Sequence, residues 1–165
     1  MFSSFWIVFS ESVWYDLFVK KQRSVIAIVK VIMGLKGSGK TKKLVDLVCD
    51  AVKEENGDVV VIEKDKKLTF DIPYQARLIN AGAYPIGTYE FLKGCICGLH
   101  SGNYDITHVF IDNSLKLVSD TSPDAMTEFL EWLEQFSESE GIDFVLSVTM
   151  DIAECPEGIK KYLCD

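Results

Sequence analysis

From Val25 onward, short apolar runs alternate with longer stretches in which apolar residues recur every three or four positions. "VIAIVKVIM" (25–33) and "DVVVIE" (58–63) are β-branched and almost continuously apolar, the pattern of a strand covered on both faces. "THVFID" (107–112) and "IDFVLSVTM" (142–150) read the same way. Between the first two strands, "TKKLVDLVCDAVKEENG" carries Leu44, Val45, Leu47, Val48, Ala51 and Val52 at helical spacing, with Asn56-Gly57 as the stop. A second helix starts at the cap Thr88 and presents Phe91, Leu92, Cys95, Ile96 and Leu99, ending before the turn "HSGNYD". A third starts at Ser122-Pro123-Asp124, with the cap followed by proline at the first helical position. Its buried face is Met126, Phe129, Leu130, Leu133 and Phe136, and Gly141 closes it.

Strand, tight loop, helix, strand is a βαβ unit, and two further units follow the first. The expected architecture is a three-layer α/β/α sandwich around a mainly parallel sheet. Residues 64–87 hold either a short strand and a helical turn or a mobile loop. Residues 1–24 form an aromatic-rich extension, and 25–165 make the domain. If the extension is helical, Phe2, Trp6, Phe9, Val13 and Leu17 share one face. That stripe would dock on the domain or a partner, or lie weakly on a membrane surface; alternatively the native chain begins near Val25. Its longest apolar run, Phe5 to Phe9, is too short to span a membrane.

At 165 residues the chain is one domain by length, large enough for a real core. The net charge of −8 is uneven. Residues 1–119 hold 15 Lys/Arg against 13 Asp/Glu, a net of +2; residues 120–165 hold 2 against 12, a net of −10. An acidic final third disfavours a nucleic-acid partner, which needs a basic face. Cys49, Cys95, Cys97, Cys155 and Cys164 show no zinc spacing and read as free thiols of a reducing, cytoplasmic compartment.

The chemistry concentrates in "GLKGSGKT", Gly34 to Thr41, which satisfies G-x-x-x-x-G-K-[ST] between a buried strand and an amphipathic helix. Glycines there let backbone N–H groups of residues 35–41 turn inward, an anion cradle at a helix N-terminus. Gly34, Lys36, Gly37, Ser38, Gly39, Lys40, Thr41 and Lys42 are the positions expected to hold a nucleotide. Lys40 would reach the β- and γ-phosphates, and Thr41 would offer its hydroxyl to Mg²⁺. The second half of the site, a carboxylate that holds the Mg²⁺ water shell opposite Thr41, should end a neighbouring buried strand, and Asp112 in "HVFIDN" does so.

Together the two motifs resemble the P-loop NTPase superfamily over residues 25–150. The chain is also similar to small stand-alone bacterial P-loop ATP-binding proteins of RecA-like flavour. The resemblance implies ATP and Mg²⁺ as ligands, with Lys40, Glu63 and Asp112 as the catalytic set. The glutamate that polarises water often follows the Mg²⁺-binding acid, but Asn113 stands there. RecA-like proteins instead keep one at the end of the strand after the P-loop helix, where Glu63 lies. Glu90 is the runner-up, and Ser147 or Thr149 would sense the γ-phosphate. A strand inserted between those carrying the glycine loop and Asp112 would indicate the ATPase branch rather than the kinase–GTPase branch.

Two arginines, Arg23 and Arg77, disfavour a small-molecule kinase, which clamps phosphates with several. Arg77 is the one candidate finger, in cis or toward a neighbouring subunit. No N-K-x-D box marks guanine, since Asn113-Ser114-Leu115-Lys116 does not match, so ATP is preferred. His100 and His108 read as structural. Three readings follow: a slow, partner-stimulated Mg²⁺-dependent ATPase; a nucleotide-binding switch or subunit whose 64–87 loop reports γ-phosphate; and a nucleotide-dependent phosphotransferase. A RecA-like motor on nucleic acid, a variant of the first, needs a homo-oligomer and a basic groove from Lys36, Lys42 and Lys43.

Overall fold

A computed structural model describes residues 28–54 and 56–164. The aromatic extension, and residues 25–27 of the first expected strand, lie outside the described residues. Five strands form one sheet: β1 (Val29–Gly34), β2 (Asp58–Glu63), β3 (Arg77–Asn80), β4 (Ile106–Ile111) and β5 (Asp143–Thr149). Their order is β1-β5-β4-β2-β3, and every pairing is parallel, so the sheet is more uniform than expected.

Among the described residues four helices connect and cover the strands: α1 (Lys40–Lys53), α2 (Tyr89–Gly102), α3 (Pro123–Glu140) and the single turn α4 (Glu157–Lys160). Alternate strand residues feed two separate cores. Val31, Val60, Ile62, Val109, Ile111 and Leu146 pack with α2, α3 and α4 on one face. Ile32, Val59, Val61, Phe110 and Val145 pack with Leu44, Val48 and Ala51 of α1 on the other. Burial on both faces is why these strands read as unbroken apolar runs.

The caps sit where the sequence places them. Thr88 Oγ1 accepts the Phe91 N–H at 3.2 Å, Ser122 Oγ accepts the Ala125 N–H at 3.4 Å, and Gly141 ends α3 in the left-handed region at φ 70°. Differences fall at element edges. Helix α1 stops at Lys53, before Asn56-Gly57, and α2 continues through His100 to Gly102, leaving a shorter turn at 103–105. On α2 the buried residues are Tyr89, Leu92, Ile96 and His100, while Phe91 faces outward. The face is therefore rotated from the expected one, because α2 packs against α3 through aromatic rings: Tyr89 stacks on Phe129 with centroids 4.8 Å apart. Residues 77–83 form the edge strand β3 and a helical turn, the first of the two alternatives for that region.

Both histidines have protein partners. His100 Nε2 lies 2.9 Å from Glu140, and His108 lies 2.9 Å from Thr107 Oγ1 through Nδ1. The outer edge of β1 is covered by residues 162–164. The Val31 N–H donates to Tyr162 O at 2.7 Å, and the Cys164 N–H donates to Val31 O at 3.1 Å. Among the described residues no helix is long and apolar enough to cross a membrane.

Phe129 joins α3 to α2 and is almost fully buried. Phe129→Ala should cost about 3–5 kcal/mol of unfolding free energy, read as a lower urea midpoint with an unchanged slope.

Candidate functional site

Parallel strands all point their carboxyl ends toward one rim of the sheet, and a crevice forms there where the connections diverge. The glycine loop leaves β1 at this rim. Gly37 and Gly39 both take φ 85°, a conformation that side-chain-bearing residues seldom adopt. Gly39 is also the N-cap of α1, so the loop turns directly into the helix and aims its N-terminus at the crevice.

Next to it stands Asp112, immediately after β4. Its Oδ1 accepts the Thr41 hydroxyl at 3.3 Å and the Ser147 hydroxyl at 2.8 Å. Ser147 in turn accepts the Asn113 N–H at 2.7 Å, so one buried hydroxyl on β5 holds both the carboxylate and the backbone after it. Thr41 and Asp112 are 71 residues apart in sequence and meet here because β1 and β4 flank β5.

A cavity of about 370 Å³ opens between these groups. It is lined by the glycine loop, with Lys36, Gly37, Gly39, Lys40 and Thr41, and by Asp112, Ser147 and Thr149. Lys40 is largely buried, and its ammonium donates to Leu35 O at 2.8 Å. Burial pulls the Lys40 pKa below its ordinary value, and the nearby Asp112 carboxylate partly counters this.

The remaining expected nucleotide positions are arranged differently. Gly34 and Ser38 line an adjoining cavity rather than this one. The Ser38 N–H donates to Leu35 O at 3.2 Å, inside the loop, instead of joining an inward ring of amides. Lys42 is exposed and lines neither cavity. Lys43 lies with Gly34 and Ser38, so Lys36, Lys42 and Lys43 do not share one groove.

Glu63 does reach the cavity. Its carboxylate is buried and accepts the backbone N–H groups of Lys67 at 2.9 Å and Leu68 at 3.1 Å. It anchors the turn that leaves β2. Glu90 and Arg77 lie elsewhere, lining a separate cleft between edge strand β3 and α2. Within one chain the structure does not bring Arg77 to the glycine loop.

Besides Asn113, which follows Asp112, four lining residues were not among the expected set: Lys64, Asp65, Lys67 and Lys116. Their signal was the charge run "EKDKK" after β2 and a lysine four residues beyond Asp112. Nothing in either stretch says that two loops 51 residues apart meet, as Lys116 and Asp65 do at 3.4 Å.

The donor set suits a small hard cation. Mg²⁺ takes oxygen ligands at about 2.0–2.1 Å in octahedral array and keeps much of its water, so one hydroxyl and one carboxylate suffice from the protein. Thr41 and Asp112 present that pair. Among the described residues no group of three or more His, Cys, Asp or Glu is placed to cage a metal.

Ser147→Ala would strip the Asn113 N–H of its acceptor and loosen Asp112. It should lower stability by about 1–3 kcal/mol, measured by urea denaturation. No protein-family model matches this chain, and no curated protein matches it.

Proposed function

We propose that the chain binds ATP with Mg²⁺ at the glycine loop, in a three-layer sandwich of the P-loop NTPase type, and hydrolyses it slowly until a partner assists. The observation that carries this reading is the meeting of the Thr41 hydroxyl and the Asp112 carboxylate at 3.3 Å, beside the N-terminus of α1. The strand order adds to it. Strand β5 separates the glycine-loop strand from the Asp112 strand, the arrangement expected of the ATPase branch.

In this reading Lys40 leaves Leu35 O for the β- and γ-phosphate oxygens of the substrate, and the amide-rich end of α1 neutralises the phosphate chain. Thr41 and Asp112 would hold Mg²⁺, which when bound draws charge off the phosphates. Ser147 fixes Asp112 in place.

Slow turnover follows from how the acids are committed. Asp112 is engaged by Thr41 and Ser147, Asp65 sits between two lysines, and Glu63 is bonded to backbone amides. For Glu63 to take a proton from water, the 64–68 turn must release it. A protein partner or a second copy of the chain, with Arg77 exposed on edge strand β3, would supply that rearrangement. The same commitment favours the second reading, a nucleotide-binding switch with little turnover. Four lysines besides Lys40 do not replace the arginine forks of a phosphotransferase, which stays the least supported reading.

Titration calorimetry with ATP, with and without Mg²⁺, tests the proposal on wild type, Lys40→Ala and Thr41→Ala. Lys40→Ala should weaken binding at least about tenfold, and Thr41→Ala should remove the gain due to Mg²⁺. Turnover that disappears with Lys40→Ala supports the hydrolase; binding without turnover supports the switch. Failure of the folded wild type to bind ATP or GTP would sink the assignment of the glycine loop.

A further inference from the structure

Besides the glycine loop, the cavity has a second basic wall built from two loops. Lys64, Asp65 and Lys67 follow β2, and Lys116 follows β4. The ammonium of Lys64 donates to Lys116 O at 2.6 Å, which ties the loops together. The Asp65 carboxylate lies 3.3 Å from Lys67 Nζ and 3.4 Å from Lys116 Nζ. Both lysines hold its carboxyl below the ordinary range, Lys67 foremost.

Three features mark this wall as held in place rather than as a loose surface patch. Buried Glu63 clamps the amides of Lys67 and Leu68. Gly82 passes so close to Lys64 that a Cβ there would strike the Lys64 carbonyl oxygen. Among the described residues, Lys66 at φ 54° and Asn113 at φ 49° are the two non-glycine positions with positive φ, one in each loop. Such conformations are strained and persist where the surroundings impose them.

Five lysines line the cavity against three carboxylates, in a chain whose overall charge is −8. One of those carboxylates, Asp65, bridges two of the lysines. Resting on the reading of the glycine loop as the nucleotide site, we propose that Lys67 and Lys116 read the terminal phosphate of a nucleoside triphosphate, and that Asp65 stands in its place until it arrives. A diphosphate held by the glycine loop leaves the Asp65 bridge intact. A terminal phosphoryl group, carrying more charge and more acceptor oxygens than a carboxylate, competes for both ammoniums. The wall therefore discriminates by the length of the phosphate chain, and its exchange of partners is the event that the 64–68 turn transmits.

The test compares ADP with adenylyl imidodiphosphate, a triphosphate analogue that resists cleavage, by calorimetry in Mg²⁺ on full-length wild type, Lys67→Ala/Lys116→Ala and Asp65→Asn. Wild type should bind the triphosphate more tightly. The double variant should lose at least about tenfold for the triphosphate and under about threefold for ADP, the loss expected when charge-assisted contacts to one phosphate go. Asp65→Asn should tighten the triphosphate alone. These three side chains are at least one-third exposed, so the fold is not at stake. A double variant that weakens both ligands equally, or neither, would overturn the wall while leaving the glycine-loop site standing. Binding of neither nucleotide to folded wild type would overturn both.

Discussion

An aspartate at the carboxyl end of a buried parallel strand has little choice of partners, and in this protein nearly everything at the rim is arranged about one. Asp112 leaves β4 at the level where the glycine loop leaves β1, with β5 between them supplying Ser147. Had β4 paired directly with β1, Ser147 would not lie between the two. The contact between Thr41 and Asp112 thus depends on strand order before it depends on either side chain. The two cores cover both faces of the central strands, and that buried pattern holds each strand in register with its neighbours.

How much could be read in advance follows from which interactions are local. Strand β2 occupies the stretch "DVVVIE" without revision, and the caps Thr88, Ser122 and Gly141 act where they stand, because caps and runs are short-range features. Thr41 and Asp112 could be paired from a distance because each lies at the end of a legible strand or loop. The outward turn of Phe91 could not be foreseen, since it depends on Tyr89 finding Phe129 on another helix. Nor could the bonds of Glu63. A glutamate at a strand end looks solvated until the following turn folds back and offers it two amides.

That last point changes how the acidic residues are understood. A carboxylate lining a crevice is commonly weighed as a base, yet the buried Glu63 serves first to shape a turn. Its burial is tolerated because the backbone N–H groups of Lys67 and Leu68 replace the lost water. The basic loop and the acid beneath it form one unit, and chemistry at either is coupled to the conformation of both.

The short stretch at 162–164 that seals β1 has a consequence for how the molecule comes into being. Cys164 and Val31 are separated by 133 positions, and the other neighbour of β1 is β5, also far along the chain. Strand β1 carries the glycine loop, yet both its sides stay bare until residues 143–164 have left the ribosome. The chain emerges at about 5–20 residues per second, so several seconds pass in which the first strand exists without a sheet to join. The strand that carries the glycine loop is thus made well before the residues that hold it on either side.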